Sequence, residues 1–554
     1  AVDFFGPGYR QTAMSSTQLI VRVNVPRSAT TKVVAYKQSQ RRDDDIAIVT
    51  GSVALDFTDD GSRLRAARVA LGGVAPTTVR APAVEAVLRD VAWPVTPEVE
   101  AAAIDALLTK DVPMPQGIAT PGGRVAYRRV LAASFLRKAL ADLNGSLTTP
   151  PFSFRQVVPD SFVRAESTGA LGRAGVANVA SNKQLAGVAT YTDDLAPLPG
   201  ELVGSLVMSP VPKGQLRGLD TTEALAVPGV RAVLSAADVP GSNSFGDIVE
   251  DEVLFVERDI TAHGQVLALV IAETAEAAQA GAAAVRPDIV DETESALVTI
   301  EDAIAANSFH TLPFNDGSHE HTVFRGRDVQ EALADAPHRI SGQVRIGGQE
   351  HFYFEPNVSR VIPLDGGDEF HIDASTQNCS KTQSTVASIL GIPQSKIVVS
   401  AKRLGGGFGG KETHSIFVSA LAALGSHHSG SPVRLLLARD VDMRLTGKRH
   451  PFLGRYEIGF DDEGKLLAAQ IDLTSNGGNF FDLSGPVLDR AIMHADNCYH
   501  VPNMRVVGRI AKTNTVSNTA FRGFGGPQGM VVMETAVEHV AAVLGVEPEV
   551  VRRR

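Results

Sequence analysis

Cysteine and tryptophan are nearly absent from this sequence: two cysteines, Cys379 and Cys498, and one tryptophan occur in 554 residues. Two thiols cannot build a disulfide framework, a four-thiolate zinc site or a protein-ligated iron–sulfur cluster. A metal, if present, must be held by other means. Also missing is any run of roughly 18 uninterrupted apolar residues, so no membrane span is expected, and Ala1 to Arg10 lack the basic-then-apolar grammar of a signal peptide. There is no basic tail and no Arg/Lys/aromatic stripe. The net charge of −10 is spread along the chain, which argues against nucleic acid as the partner. An intracellular protein is expected. An initiator Met is lacking too, and "EPEVVRRR" opens a helix that stops at Arg554 within about two turns, so the chain is expected to be an internal stretch of a longer polypeptide.

The composition that is present, 44% hydrophobic and 21% charged, is globular, and the length exceeds what one core supports, so roughly two to four domains are expected. From Thr17 to Val23, from Lys32 to Ala35, and through "DIAIVTGSVALDF" and "LRAARVALGGV", apolar strand-like runs alternate with turns. The segment "VAYRRVLAASFLRKALADLNG" puts Val125, Leu131, Phe135 and Leu140 on a helical stripe and ends at Asn144 and Gly145, a helix stop. These define a small α+β unit over 1–145. A Ser/Thr/Pro-rich stretch without periodicity, "SLTTPPFSFRQVVPDS", sets a linker over 146–175. A second α+β unit over 176–315 contains strands at "ELVGSLVMS" and "VRAVLSAADVP", a buried strand at "HGQVLALVIAET" and an Ala-rich helix at "AEAAQAGAAAV". The third region, 316–554, has the densest glycine.

Within that third region lies "RLGGGFGGKETHS", Arg403 to Ser415. "KIVVSAKRL" before it has strand character and "HSIFVSALAALG" after it has helix character. The expected local order is strand, glycine turn, helix N-terminus, a place where free N–H groups and the helix dipole suit an anion. Gly405, Gly407 and Gly410 fit the GxGxxG spacing of a dinucleotide loop, but no acidic residue follows at about 20 residues; Asp440 is about 30 beyond. Gly405 to Lys411 approaches a P-loop, with "VRLLLARD" as the one Walker-B candidate, yet Glu412 stands where Ser or Thr must ligate Mg²⁺. A packing turn and a loop that brings backbone against another cofactor are the remaining readings. His414 is expected to be a polar residue at the helix start.

Four stretches, "STQNCSKTQ", "GGGFGGKE", "DLSGPVLDRA" and "NTAFRGFGGPQGM", occur in this order at spacings that resemble the molybdopterin-binding region of the xanthine dehydrogenase family. "GGQEHFYFE" and "NKQLAGVATYTDD" resemble earlier parts of the molybdenum domains, and "FFGPGYRQTAM", "SQRRDDDIA" and "LGGVAP" resemble the end of that family's flavin domain. The resemblance implies an α+β, multidomain fold: the C-terminal part of a flavin domain, then incomplete molybdopterin-binding domains. It implies a molybdenum–molybdopterin cofactor held through its own pterin sulfurs, with FAD and 2Fe–2S clusters in the full-length parent, and NAD as electron acceptor. The implied activity is hydroxylation of hypoxanthine and xanthine to urate, by a homodimer in the cytoplasm or the peroxisome.

By the same motif match, Gln377, Phe408 and Arg522 would contact the molybdenum–pterin group. The uncharged Gln377 amide would donate to an oxygen on the metal, and the Arg522 guanidinium would offer several fixed hydrogen bonds to an anionic assembly. Glu412 and Arg490 would bind the purine: arginine at the ring oxygen where negative charge develops, carboxyl on the ring nitrogens. Phe524 matches an aromatic that packs on the flat substrate. The family's general-base carboxylate lies far downstream, so it is expected beyond Arg554, and this chain alone is expected not to turn over xanthine. The rival readings are an aldehyde oxidase of the same family, in which the Glu412 and Arg490 positions differ, a P-loop ATPase, and a non-enzymatic scaffold.

Overall fold

Strands and helices of both units are described here from a computed structural model, which covers residues 30–39, 47–75, 77–112, 124–144, 181–313 and 317–554, with a few single positions before residue 22. The linker expected at 146–175 and most of the strand expected at Thr17 to Val23 lie outside the described residues. The chain divides into two units, Ala1–Val179 and Ala180–Arg554. Among the described residues no helix is long and apolar enough to cross a membrane.

In the first unit, Thr31–Ser39, Ala47–Phe57, Arg63–Gly72 and Val79–Arg80 form an antiparallel sheet in sequence order, with Val91–Ala92 added to Arg63–Gly72. Along Ala47–Phe57 every second residue is buried, among them Val49, Val53, Leu55 and Phe57. This is the period-two pattern of a sheet with one covered face. The cover is helix Val125–Leu143, which buries Ala132, Phe135, Leu136, Ala139 and Leu140. Of the stripe read from sequence, Phe135 and Leu140 are core, whereas Val125 and Leu131 are half-buried at its margin. Arg128 is also buried in that face; its guanidinium donates to the carbonyls of Ile48 and of Gly73, the latter at 2.8 Å. Those bonds offset the cost of taking the charge out of water.

The second unit contains the two large sheets that position the site. One has seven strands in the order Ile397–Ser400, Glu369–Ala374, Val358–Leu364, Val433–Leu436, Leu202–Met208, Val266–Ala272, Val230–Leu234. Strands from before and after residue 315 therefore share one sheet. Val266–Ala272 is buried at all seven positions, as its continuous apolar run requires of an interior strand. Helix Ala275–Ala284 follows it, capped by the Thr274 side chain accepting from Ala277 N. Helix His414–Ser429 is apolar nearly all round and joins the same core through Val418, Leu421 and Leu424 against Leu269, Ile271 and Leu435.

The other sheet has five strands, in the order Glu320–Arg325, Asn503–Lys512, Leu466–Gly478, Phe452–Phe460, His338–Ile346. Helices Ser484–Met493 and Gly526–Leu544 pack on it through Val487, Leu488, Ala491, Val532, Met533 and Val537. At roughly 1.5–3 kcal/mol for each large apolar side chain fully removed from water, these two cores dominate the stability of the unit. The fold is α+β throughout, as expected from sequence.

Candidate active site

Strand Ile397–Ser400 runs parallel to Glu369–Ala374, so both deliver their C-terminal ends to one place. After Ala374 the chain turns through Ser375, Thr376 and Gln377 into helix Cys379–Leu390, capped by Asn378 accepting from Lys381 N at 3.1 Å. After Ser400 it enters the glycine loop and then helix His414–Ser429. The expected strand, glycine turn and helix start are all there.

The loop's amides are engaged differently from a nucleotide loop. Gln377 Oε1 accepts from Gly409 N at 2.9 Å and from Lys411 N at 3.3 Å, and Gln377 N donates to Lys411 O at 2.8 Å. Gly405 N donates to Glu355 Oε2 at 2.7 Å, and Gly410 N to Gly407 O at 2.9 Å. The N–H groups of Gly405, Gly409, Gly410, Lys411 and Glu412 are thus engaged inside the protein. The absent side chains make room for protein rather than for ligand: a Cβ on Gly407 would stand 2.4 Å from Gln377 Oε1, and one on Gly409, at φ +104°, 2.6 Å from Ala520 O.

Lys411 settles the P-loop question. It is fully buried, and its Nζ donates to Glu355 O and to Ser375 Oγ, both at 2.7 Å, with Glu355 Oε2 at 3.6 Å. Burial pulls its pKa down to about 8 against the opposing pull of Glu355. A lysine held by an internal carbonyl, hydroxyl and carboxylate cannot reach a phosphate, so the loop is not a P-loop. The lysine's burial depends on Glu355, 56 residues away in sequence, and no local motif announces it.

With its oxygen turned into the loop, the exposed Gln377 keeps its NH₂ as a donor without a partner among the described residues. Phe408 is half-exposed, at 47%, and sits at φ +56°. For a bulky residue this left-handed conformation costs of order 1–3 kcal/mol and persists only where surroundings enforce it. Its carbonyl accepts from Arg522 N at 2.8 Å, which ties the glycine loop to the loop 519–526. The Arg522 guanidinium is exposed and has no ion pair or hydrogen bond among the described residues. Its carbonyl accepts from Arg449 Nη2 at 2.8 Å, and Arg449 lies 4.0 Å over the Phe521 ring, which stacks on His351 at 4.5 Å.

Arg490, exposed in the last turn of helix Ser484–Met493, stands 5.6 Å over the ring of Phe524. Phe524 is half-buried against the second core and, like Phe408, adopts a positive φ, +51°. Glu412, half-buried, is the residue after Lys411 and donates its N–H to Gly409 O at 3.1 Å. Recorded contacts thus link Gln377, Phe408 and Arg522 through the loop, and Arg490 with Phe524; Glu412 joins the set through the same turn.

His414 was expected to be an ordinary polar residue of a helix start. It does open the helix, but it is buried, with Nε2 3.3 Å from Asp482 Oδ2. Burial disfavours its charge, yet Asp482 and Glu252 outweigh this and raise its pKa. Asp482, Glu355, Ser375 and Thr413 were not singled out from sequence. All four did sit inside quoted stretches, and the signal that would have marked Asp482 and Glu355 is a carboxylate embedded in an otherwise apolar or glycine-rich run.

An anionic group with acceptor oxygens fits these residues: an amide NH₂ and a guanidinium, both without a partner among the described residues, and an aromatic held in a strained loop lie on segments hydrogen-bonded to one another. The chain matches the family models for the molybdopterin cofactor-binding domain over residues 314–554, for the aldehyde oxidase and xanthine dehydrogenase a/b hammerhead domain over 186–289, and for the CO dehydrogenase flavoprotein C-terminal domain over 34–143. Fold and domain matches together place the chain in the molybdenum hydroxylase class of proteins. It is 39% identical to xanthine dehydrogenase 1 of Arabidopsis thaliana over 100% of this chain and 41% of that protein, and 38% identical to the xanthine dehydrogenase/oxidase of Rattus norvegicus over 99% of this chain and 42% of that protein. Among solved structures, the aldehyde oxidoreductase of Desulfovibrio gigas is similar at a TM-score of 0.62 and 25% identity, covering 77% of this chain and 47% of that one. The chain belongs to the xanthine dehydrogenase/oxidase family, and it spans about two fifths of the length of the curated relatives it matches.

Proposed function

We propose that the protein carrying this chain hydroxylates hypoxanthine and xanthine to urate and passes the electrons through 2Fe–2S centres and FAD to NAD, as a cytoplasmic homodimer. The observation that carries the purine reading is the Arg490 guanidinium placed over Phe524, in a site that also bears Glu412. The molybdenum–molybdopterin group, when bound, supplies the oxygen-transfer and two-electron chemistry, and Gln377, Phe408 and Arg522 are the residues that would hold it.

The remaining residues deal with the substrate. A flat heteroaromatic ring gains orientation and affinity against the face of Phe524. Negative charge that collects on a ring carbonyl oxygen is stabilised by Arg490, whose guanidinium stands 5.6 Å over the Phe524 ring. The Glu412 carboxyl accepts from, or donates to, the ring nitrogens and so selects which carbon faces the cofactor.

Arg490→Gln and Glu412→Gln in the complete, cofactor-loaded polypeptide are each expected to lower purine kcat/KM by about 100-fold or more, with aldehyde turnover changed less than about threefold. Steady-state rates on both substrate types check this. The rival reading, aldehyde oxidation, is favoured by the likeness to the Desulfovibrio gigas aldehyde oxidoreductase; it requires equal losses on both substrates, and that result would overturn the purine assignment.

A further inference from the structure

The three residues assigned to the purine hang on three different segments. Glu412 precedes helix His414–Ser429, Arg490 rides on helix Ser484–Met493, and Phe524 precedes helix Gly526–Leu544. Their relative placement therefore depends on whatever joins the starts of these helices.

A buried polar node does so. Asp482, whose side chain is fully buried, lies just before helix Ser484–Met493 at φ +41°, a left-handed conformation for a non-glycine residue. Its Oδ2 accepts from Thr413 Oγ1 at 3.3 Å and stands 3.3 Å from His414 Nε2. The Thr413 hydroxyl in turn pairs with Thr519 Oγ1 at 3.0 Å, and Thr519 opens the loop that carries Arg522 and Phe524. The neighbouring peptides reinforce the arrangement: Phe481 N donates to Asp251 Oδ2 at 2.9 Å, His450 Nε2 meets Ser484 Oγ at 2.7 Å, and Gln528 Nε2 donates to His450 O at 3.3 Å.

We propose that Asp482, acting through Thr413, is the positioning residue that sets the spacing of Glu412, Arg490 and Phe524, and hence the preference for a purine. The inference rests on the assignment of those three residues to the purine. A hydroxyl–carboxylate link is short and directional, and inside a buried site it is stronger than in water. Weakening it lets three helix starts shift independently, and a misplacement of about 1 Å can cost up to about 100-fold in rate. Aldehydes, which need no simultaneous hold by carboxyl, guanidinium and ring, are insensitive to that spacing.

The test uses the complete, cofactor-loaded protein. Asp482→Asn and Thr413→Val are each expected to raise the purine KM about tenfold, to weaken equilibrium binding of urate by calorimetry by the same factor, and to leave aldehyde KM within about twofold at unchanged molybdenum content. Thr413→Ser, which keeps the hydroxyl, is expected to restore purine KM. Should Asp482→Asn fail to fold, Thr413→Val preserves every charge and decides alone. Equal losses on purine and aldehyde, or no rescue by serine, overturn the proposal. If Glu412→Gln and Arg490→Gln shift the purine-to-aldehyde ratio while the node variants do not, the positioning role falls and the purine site stands. If none of the four shifts it, both fall.

Discussion

Two loops share one local sequence, Gly-Phe-Gly, at 407–409 and 523–525, and one backbone turn at its last two residues: Phe408 at φ +56° followed by Gly409 at +104°, Phe524 at +51° followed by Gly525 at +90°. Their side chains meet different fates. Phe408 is half-exposed, whereas Phe524 leans on the second core under Arg490. The first loop is held by a buried charge, Lys411 on Glu355 and Ser375. The second is wedged by backbone, so that a Cβ on Gly525 would stand 2.0 Å from Val487 O. A short motif therefore specifies a backbone excursion, and its neighbours decide what the aromatic can touch.

The contrast can be broken most severely at the charge. Lys411→Met leaves the Glu355 carboxylate buried without its cation and is expected to cost roughly 3–5 kcal/mol by denaturant unfolding; a loss under about 1 kcal/mol would mean that the first loop is not held by charge. In the second loop, Gly525→Ala forces a Cβ against Val487 O at a positive φ, and roughly 3 kcal/mol is expected to be lost in the same assay. Unchanged stability there would remove the wedge.

Acid sharpens the comparison further. His450, whose carbonyl and ring tie Gln528 and Ser484 beside the second loop, is buried, and desolvation holds its pKa down to about 4. Its folded value lies below the unfolded one near 6.5, so the unfolded state takes up the proton first. The stability it contributes is intact above about pH 6.5 and is lost as pH falls toward 4, by roughly 2–3 kcal/mol. His310, also buried and pushed to about 4, adds to the same window. Unfolding curves at pH 7 and 4.5 check the total, and a His450→Gln variant should lose less between them; an unchanged slope would dissociate this histidine from the effect. The smallest effect is at the aromatics themselves. Phe408→Gly relieves a strained φ at little cost in packing and is expected to be neutral or to stabilise by about 1 kcal/mol, while Phe524→Gly is expected to cost about 2 kcal/mol. Equal values for the two would erase the distinction.

Much of the fold was legible because it is local. The seven consecutive apolar residues of Val266–Ala272 have the length and β-branched content of an interior strand, and the longer Ala/Leu-rich apolar run after Thr413 that of a buried helix. The pairing of Leu202–Met208 with Val433–Leu436 was not legible, since nothing in either strand names a partner some 230 residues away. In the site, Glu412, Arg490 and Phe524 stood out by residue type within motifs. The spacing of Lys411 invited a P-loop comparison that Glu412 already opposed, and only the contact with Glu355 shows the lysine to be internal.

By itself, then, the sequence determined the α+β elements, the glycine loop between strand and helix, and the family, because periodicity, turn chemistry and motif order are properties of neighbouring residues. The tertiary structure alone decided which amides are free, which charges are buried and which helix starts are tied together. Those outcomes depend on desolvation and on hydrogen bonds between segments far apart in the chain, and burial is a property that no residue carries on its own.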